Sequence, residues 1–186
     1  MRNIAFLLRF VACAALLVAD AVLLGAVPAM ADQVSLTPPA VQVEIRAYGL
    51  GLIPFDGKFA RFHGVLRYDP ARPDACQVVL EIDAASLAMS NETVRDAITG
   101  PEFMDVARLP DLAFDGACHG DFMVGSLKLH GQTHPFTLDL SRTARTIIAT
   151  GHLQRAEWGM TARRFTAGST IRIRVEIPNP FAGSHS

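Results

Sequence analysis

Six histidines are the residues of this chain best suited to metal or acid–base chemistry. Two of them, His130 and His134, flank a Gly131-Gln132 turn, so their imidazoles could meet across a hairpin. A structural zinc site needs four protein ligands, and a catalytic zinc site needs three. No third ligand occurs at a suitable spacing. The sequence therefore predicts turn and surface histidines and no metal site.

Motifs for nucleophilic or acid–base catalysis are also missing from the sequence. There is no Gly-x-Ser-x-Gly elbow and no glycine-rich loop of the kind that binds phosphates or dinucleotides. Most carboxylates alternate with apolar residues, which is the spacing of a solvated strand face rather than of a convergent acid pair. Arg95-Asp96 could be a buried ion pair or a solvated surface pair. We therefore predict no catalytic residues and no enzymatic activity.

The first 31 residues have the pattern of an export signal. Arg2 and Arg9 supply positive charge, the segment from Phe10 to Val27 is apolar apart from Asp20, and Ala29-Met30-Ala31 forms a small-residue cleavage site. An uncleaved membrane anchor is the alternative, because the apolar run is just long enough to span a bilayer. The charge within the run and the cleavage site favour removal. We expect an exported protein that is not an integral membrane protein once it is processed.

The charge balance argues against a polyanionic partner. The chain has 17 basic and 18 acidic residues, and its net charge is −1 at neutral pH. Nucleic-acid binding requires a basic surplus or a basic patch. Arg163-Arg164 is the only adjacent basic pair. We predict no nucleic-acid partner.

Residues 32–178 read as one domain, and 179–186 as a disordered tail. Apolar residues recur at every second position, as in Val41, Val43 and Ile45, which indicates half-buried strands. The predicted strands are antiparallel and number eight, at about 41–47, 58–68, 76–84, 112–118, 122–130, 134–141, 146–155 and 169–177. Such a series is typical of an all-β barrel or sandwich.

One segment has helical spacing instead. Ser90 or Asn91 can cap a helix that Gly100-Pro101 would end, and Val94, Ala97 and Ile98 form its apolar edge. This short helix could lie across a barrel mouth, or it could be a connector that packs on the core.

Cys76 and Cys118 are the two cysteines that follow the signal segment. Exported proteins enter an oxidising space, so a disulfide is the expectation and two buried free thiols are the alternative. If the strands that carry these cysteines pair antiparallel with Cys76 opposite Cys118, the apolar faces align as well. The pairs in that register are Val78–Gly116, Leu80–Phe114 and Ile82–Leu112.

A series of motifs resembles the YceI-like family, periplasmic lipocalin-like proteins that bind polyisoprenoid lipids. The first motifs are Phe55-Asp56-Gly57-Lys58-Phe59-Ala60-Arg61-Phe62-His63-Gly64, Arg95-Asp96, Glu102-Phe103-Met104-Asp105-Val106 and Leu109-Pro110-Asp111-Leu112-Ala113-Phe114. The later ones are Gly125-Ser126-Leu127-Lys128-Leu129-His130-Gly131-Gln132-Thr133-His134-Pro135-Phe136 and Gln154-Arg155-Ala156-Glu157-Trp158-Gly159-Met160. One departure is that Pro38, Pro39 and Arg46 stand where the family has an early His-Ser pair and a further histidine. The resemblance runs from about Val41 to Ile177.

The resemblance implies an antiparallel eight-stranded lipocalin-like barrel with the short helix near its mouth, located in the periplasm. It also implies a carrier or storage protein for a long apolar polyisoprenoid, such as an isoprenoid quinone, and no cofactor beyond that bound lipid. An eight-stranded barrel has room for one small ligand.

Alternation selects the candidate ligand-binding residues. The predicted wall is Val43, Ile45, Phe62, Leu66, Leu80, Ile82, Phe114, Leu127, Leu129, Phe136, Leu138, Ile171 and Ile173. Phe103 and Trp158 are predicted near the mouth. Two other readings stay open: a filled barrel with a structural or protein-interaction role, and an enzyme acting on an isoprenoid or an oxidised species. An exposed edge strand could also pair two copies into a homodimer.

Overall fold

The computed structural model describes residues 32–50, 52–163 and 166–182, and within them the fold is all-β and antiparallel. The predicted signal peptide, residues 1–31, lies outside the described residues. One α-helix is described, α1 (Glu92–Thr99), together with 3₁₀ turns at Ala84–Ser86 and Arg155–Trp158. The strands are β1 (Asp32–Ser35), β2 (Gln42–Gly49), β3 (Ile53–Phe59), β4 (Phe62–Asp69), β5 (Arg72–Asp83), β6 (Leu87–Met89), β7 (Asp111–His119), β8 (Phe122–Leu129), β9 (Gln132–Arg142), β10 (Thr146–Gln154) and β11 (Thr170–Pro178).

All the strands belong to one sheet, in the order β1-β4-β5-β7-β8-β9-β10-β11-β2-β3-β6. Only Ala60 and Arg61 separate β3 from β4, and one 3₁₀ turn separates β5 from β6. The pair β4–β5 lies near one end of the strand order, and the pair β3–β6 lies at the other end. Because β3 leads directly into β4 and β5 into β6, the two ends of the sheet are next to each other. The sheet therefore curls around a single interior.

The predicted count of eight strands is wrong, because the structure has eleven. The predicted strand 58–68 is two strands, β3 and β4, since the chain bends between them. β1 and β6 were not predicted at all. They have four and three residues, which is too short for an alternation pattern to stand out.

The bend is held by Ser86, a buried polar residue. Its hydroxyl accepts a hydrogen bond from the Arg61 backbone N–H at 3.0 Å and lies 2.7 Å from the Asp83 carbonyl, to which it can donate. Its own carbonyl accepts from the Ala60 N–H. The break between β3 and β4 thus lies beside the break between β5 and β6. The backbone N–H groups of Ala60 and Arg61, which no strand partner binds, are satisfied by Ser86.

The helix agrees with its sequence signals. The Asn91 side-chain oxygen accepts a hydrogen bond from the Val94 N–H at 3.0 Å, which is the N-cap interaction that the sequence suggested. Gly100 ends the helix. The described part of the chain holds no helix with the length and apolar character that a membrane crossing requires.

The Cys76–Cys118 disulfide is confirmed, with the two Cα atoms 4.8 Å apart. The strand register around it is also the predicted one. β5 and β7 pair Val78 with Gly116, Leu80 with Phe114 and Ile82 with Leu112.

One end of the interior, here called the solid end, is occupied by buried side chains. Leu36, Leu66, Val78 and Met123 are all buried there, close to the disulfide. The segment after β11 covers this end, because the Phe181 ring packs edge-on against Tyr68 with centroids 4.9 Å apart.

Part of the predicted disordered tail makes defined contacts. Asn179 donates to the carbonyl oxygens of Arg145 and Thr143, and its side-chain oxygen accepts from the Phe181 N–H. These hydrogen bonds connect the residues that follow β11 to the turn between β9 and β10. Residues 183–186 lie outside the described residues.

Candidate functional site

The other end of the interior is hollow and holds a cavity of about 350 Å³. Small-molecule pockets in proteins are typically ~300–1,000 Å³, so this cavity lies at the lower end of that range. Its walls are inward-facing residues of β2, β3, β5 and β7 to β11. Most of these side chains are aliphatic or aromatic because the strands alternate apolar and polar residues.

Strand register aligns the wall in rows. Leu80 of β5 lies opposite Phe114 of β7, and Phe114 lies opposite Leu127 of β8. All three are buried and all three line the cavity. Side chains at paired positions lie side by side on one face of a sheet, so three successive strands form a continuous apolar surface.

Helix α1 covers part of the cavity. Val94, Ala97 and Ile98 are half-buried, and with Thr93 they contribute to the lining. The helix therefore lies across the hollow end, one of the two placements that the sequence left open.

Arg155 is a buried charged residue in the cavity wall, with only 4% of its surface exposed. Its Nε donates to the Gly168 carbonyl at 2.8 Å, Nη1 donates to the Met160 carbonyl, and Nη2 donates to the Ala167 carbonyl at 3.4 Å. No carboxylate among the described residues pairs with it. Burial lowers the pKa of this guanidinium, which nonetheless stays protonated.

These contacts give Arg155 a structural task. Its guanidinium bridges the 3₁₀ turn, the end of β10 and the segment 160–168, all at the hollow end. Three of its five N–H donors are directed at backbone carbonyls, so it binds the protein's own chain.

A second arginine spans the hollow end from outside. The Arg163 Nε donates to a carboxylate oxygen of Glu102 at 2.5 Å, although the two residues are 61 positions apart. Both side chains are more than half exposed. This ion pair joins the segment before β11 to the loop that follows α1.

Twelve of the fifteen predicted ligand-binding residues lie in the cavity wall, and their contact with a ligand stays a prediction. The twelve are Val43, Ile45, Leu80, Ile82, Phe103, Phe114, Leu127, Leu129, Phe136, Leu138, Ile171 and Ile173.

The structure does not place the other three in the wall. Phe62 and Leu66 lie buried on β4 and do not line the cavity, although Phe62 lies opposite the lining residue Ile82 in the sheet. Trp158, expected near the mouth, is 1% exposed. It packs against His134 and Phe136 with ring centroids 5.1 and 6.2 Å apart.

Several lining residues were not predicted. Alternation could have found Leu112, since it faces Ile82 in the predicted register. Phe59 was missed because the bend changes which positions point inward. The buried arginine offered no signal beyond its place in a family motif. The other missed residues that line the cavity include Ala47, Tyr48, Phe55, Met104, Leu153 and Met160.

The two histidines at the turn between β8 and β9 contact Trp158 and Gln132. His130 Nδ1 lies 2.8 Å from the Trp158 carbonyl oxygen, and His134 Nε2 lies 3.0 Å from the Gln132 side-chain oxygen. No group of three or more metal-binding side chains occurs within the described residues. Arg95 hydrogen-bonds Asp96 at 2.8 Å on the helix surface, with 68% of the Asp96 side chain exposed, so this pair is solvated rather than buried.

Comparison with solved structures gives the same fold at low sequence identity. BcnA from Burkholderia cenocepacia has a TM-score of 0.59 and 18% identity, and the match covers 75% of this chain and 96% of that one. A polyisoprenoid binding domain from Saccharophagus degradans has a TM-score of 0.53 and 13% identity, covering 80% and 99%. A mutant of the YCEI protein of Campylobacter jejuni gives 0.55 at 18%, covering 66% and 82%.

Proteins related in sequence, together with a family model, identify the family of this chain. A UPF0312 protein from Pseudomonas savastanoi pv. phaseolicola is 31% identical over 149 residues, which covers 74% of this chain and 72% of the relative. A second, from Vibrio cholerae, is 33% identical over 104 residues, covering 52% and 54%. The family model described as the YceI-like domain matches residues 35–178. The chain belongs to the YceI-like family.

Proposed function

We propose that this protein is a non-enzymatic carrier or storage protein for a long apolar polyisoprenoid, such as the tail of an isoprenoid quinone. The observation that carries the proposal is the apolar cavity of about 350 Å³ at one end of the interior. A related fold from Saccharophagus degradans is named as a polyisoprenoid binding domain, which supports the same ligand class.

The chemistry of the wall suits such a ligand. An isoprenoid chain offers almost only hydrocarbon surface, and burial is worth about 0.8 kcal/mol per methylene-sized group. Rows such as Leu80, Phe114 and Leu127 provide that surface. Arg155 is the buried cation of the wall, and its charge is compensated in part by three hydrogen bonds to backbone carbonyls.

The size of the cavity suggests how a long chain would bind. Since its volume lies at the lower end of the range for small-molecule pockets, it encloses part of such a chain, and the rest extends through the hollow end. The proposed domain is residues 32–178, acting in the periplasm after removal of residues 1–31.

A test is organic extraction of the protein purified from its native host, followed by mass spectrometry. We expect one apolar isoprenoid per protein molecule. A folded protein without any extracted lipid would contradict carriage and favour a structural or protein-interaction role. N-terminal sequencing of the same sample tests the processing, and we expect a first residue of Asp32.

A further inference from the structure

The tip of the β2–β3 hairpin exposes large apolar side chains. Leu50, Leu52 and Ile53, here called the hairpin tip, are 65%, 85% and 51% exposed. Single exposed apolar residues are common, but a cluster on one protruding turn is the feature of a surface that contacts something apolar.

The hairpin around the tip carries no charge. Every residue from Ala47 to Phe55 is uncharged. Directly beside this run, Arg46 and Asp56 form an ion pair with a nitrogen–oxygen distance of 2.5 Å. The nearby cation Arg163 is likewise paired, with Glu102. The tip itself therefore carries no charge, and among its described neighbours Arg46 and Arg163 are ion-paired, whereas Arg172, opposite Arg46 in the sheet, has no carboxylate partner.

The backbone of Leu50 adopts a costly conformation. Leu50 has a φ of 50°, the left-handed region that favours glycine and disfavours a leucine. Its N–H donates to the Thr166 carbonyl at 2.8 Å, and the Gly168 N–H donates to the Tyr48 carbonyl. The exposed leucine gains no packing in return. Backbone strain of this kind persists mainly where function requires it.

The same hairpin forms part of the cavity wall. Tyr48, Gly49 and Phe55 line the cavity, as do Thr166 and Gly168 in the segment bonded to the hairpin. The exposed tip and the cavity lining thus lie on one short stretch of chain, at the hollow end. A surface that the tip contacts would be next to the cavity.

We propose that the hairpin tip docks on a lipid bilayer by inserting its apolar side chains, so that an isoprenoid passes between bilayer and cavity without crossing water. This inference rests on the proposed carrier function. Three side chains are far smaller than the roughly 1,600 Å² that a standard protein–protein interface buries, which argues against a second copy or a stable protein partner. A tyrosine beside the tip suits a bilayer interface.

The absence of charge from Ala47 to Phe55 makes a specific demand on the binding. Docking should depend on apolar insertion rather than on attraction to anionic headgroups. We therefore expect the protein to bind vesicles of pure phosphatidylcholine, with little dependence on salt concentration.

The experiment compares Leu52→Glu with a matched control, Phe122→Glu. Phe122 is also an exposed apolar residue, at 50%, but it lies on the β7–β8 turn beside the disulfide, at the solid end. The full exported chain is mixed with phosphatidylcholine vesicles, and co-flotation is measured. Loading with a detergent-solubilised isoprenoid quinone, without vesicles, is measured separately.

We expect Leu52→Glu to lower vesicle affinity by at least about tenfold, while Phe122→Glu keeps it and both variants load from detergent as the wild type does. Equal flotation of Leu52→Glu and wild type, or an equal loss with Phe122→Glu, would overturn the docking proposal. So would wild-type protein that loads from detergent but never floats, or tip-dependent dimers seen by sedimentation. Protein that floats but does not load would instead contradict the carrier function.

Discussion

The Arg155 guanidinium lies over the Phe103 ring, 5.3 Å from the ring centre, and joins the loop after α1 to the end of β10. Cation–π contacts of this kind strengthen when they are shielded from water. Since the guanidinium also satisfies three backbone carbonyls, one side chain organises the hollow end of the molecule.

Replacement of this residue should destabilise the fold. We expect Arg155→Met to lower the free energy of unfolding by about 2–4 kcal/mol, because buried carbonyls lose charged hydrogen-bond donors. The measurement is urea unfolding followed by circular dichroism. Arg163→Met is the control, since it removes only an exposed ion pair and should cost about 0–1 kcal/mol. Equal midpoints for Arg155→Met and wild type would show that the buried arginine contributes no stability.

A charge placed in the cavity wall should prevent lipid retention. Leu80→Arg introduces an unpaired charge at a position that is 4% exposed, so the variant should either unfold or emerge without lipid. Val79→Arg is the matched control on the same strand, because the Val79 side chain points outward and is 37% exposed. Mass spectrometry of extracted lipid and a thermal unfolding scan distinguish the two results. Folded Leu80→Arg protein with full lipid occupancy would remove Leu80 from the proposed wall.

Loss of the disulfide should affect stability more than the cavity. Cys76 and Cys118 close a loop with a sequence separation of 42, for which chain entropy predicts about 4 kcal/mol of stabilisation. We expect the double variant Cys76→Ser, Cys118→Ser to unfold at lower urea and to retain isoprenoid, since the bond lies at the solid end. Adding a reductant should destabilise the wild type and leave the double variant unchanged. A wild type indifferent to reductant would contradict this account.

Acid sensitivity should follow from the surface carboxylates. A hydrogen bond from Arg61 lowers the pKa of Asp83, and one from Arg46 lowers the pKa of Asp56. A lowered pKa in the folded state gives stability that is present above the unfolded value and is lost as the pH falls through the folded one. We expect this contribution to be constant from neutral pH down to about pH 5, to decrease as the pH falls below about 4, and to vanish only below the lowered folded-state pKa.

The test compares wild type with Asp83→Asn in urea titrations across that pH range. The difference in stability should be largest at neutral pH and should shrink as the solution becomes acidic. Arg61→Gln removes the partner and should give the same trend. A difference that grows on acidification would have the wrong sign for this ion pair.

Most long strands could be predicted from the alternation of apolar and polar residues, because one face of such a strand is buried and the other is exposed. The register of β5 against β7 was predictable since two cysteines and three apolar pairs agreed on it. The chain bend between Phe59 and Phe62 was not, because both residues are apolar and both are buried, which no strict period of two allows. Phe62, which follows the bend, was predicted in the wall, whereas in the structure it is buried next to the lining residue Ile82 without lining the cavity itself.

The site was less predictable than the sheet. Apolar wall positions share their pattern with ordinary core positions, so alternation cannot separate a hollow from a packed region. Phe114 and Leu66 look alike in the sequence, yet one lines the cavity and the other is in the solid end. Arg155 was missed as a wall residue because its partners are backbone carbonyls, which every sequence has.

The bend between β3 and β4, which Ser86 holds by hydrogen bonds, affects which sequence changes the fold can accept. Inward-facing and outward-facing positions exchange at this bend. The alternation of side-chain direction in β3 is therefore independent of the alternation in β4. Substitutions that change the shape of the cavity on one side of the bend therefore do not alter the side-chain directions on the other side. An inserted or deleted residue at Ala60-Arg61, by contrast, would move the inward-facing side chains of one strand to its outer face. We therefore expect the length of this connection to tolerate no change.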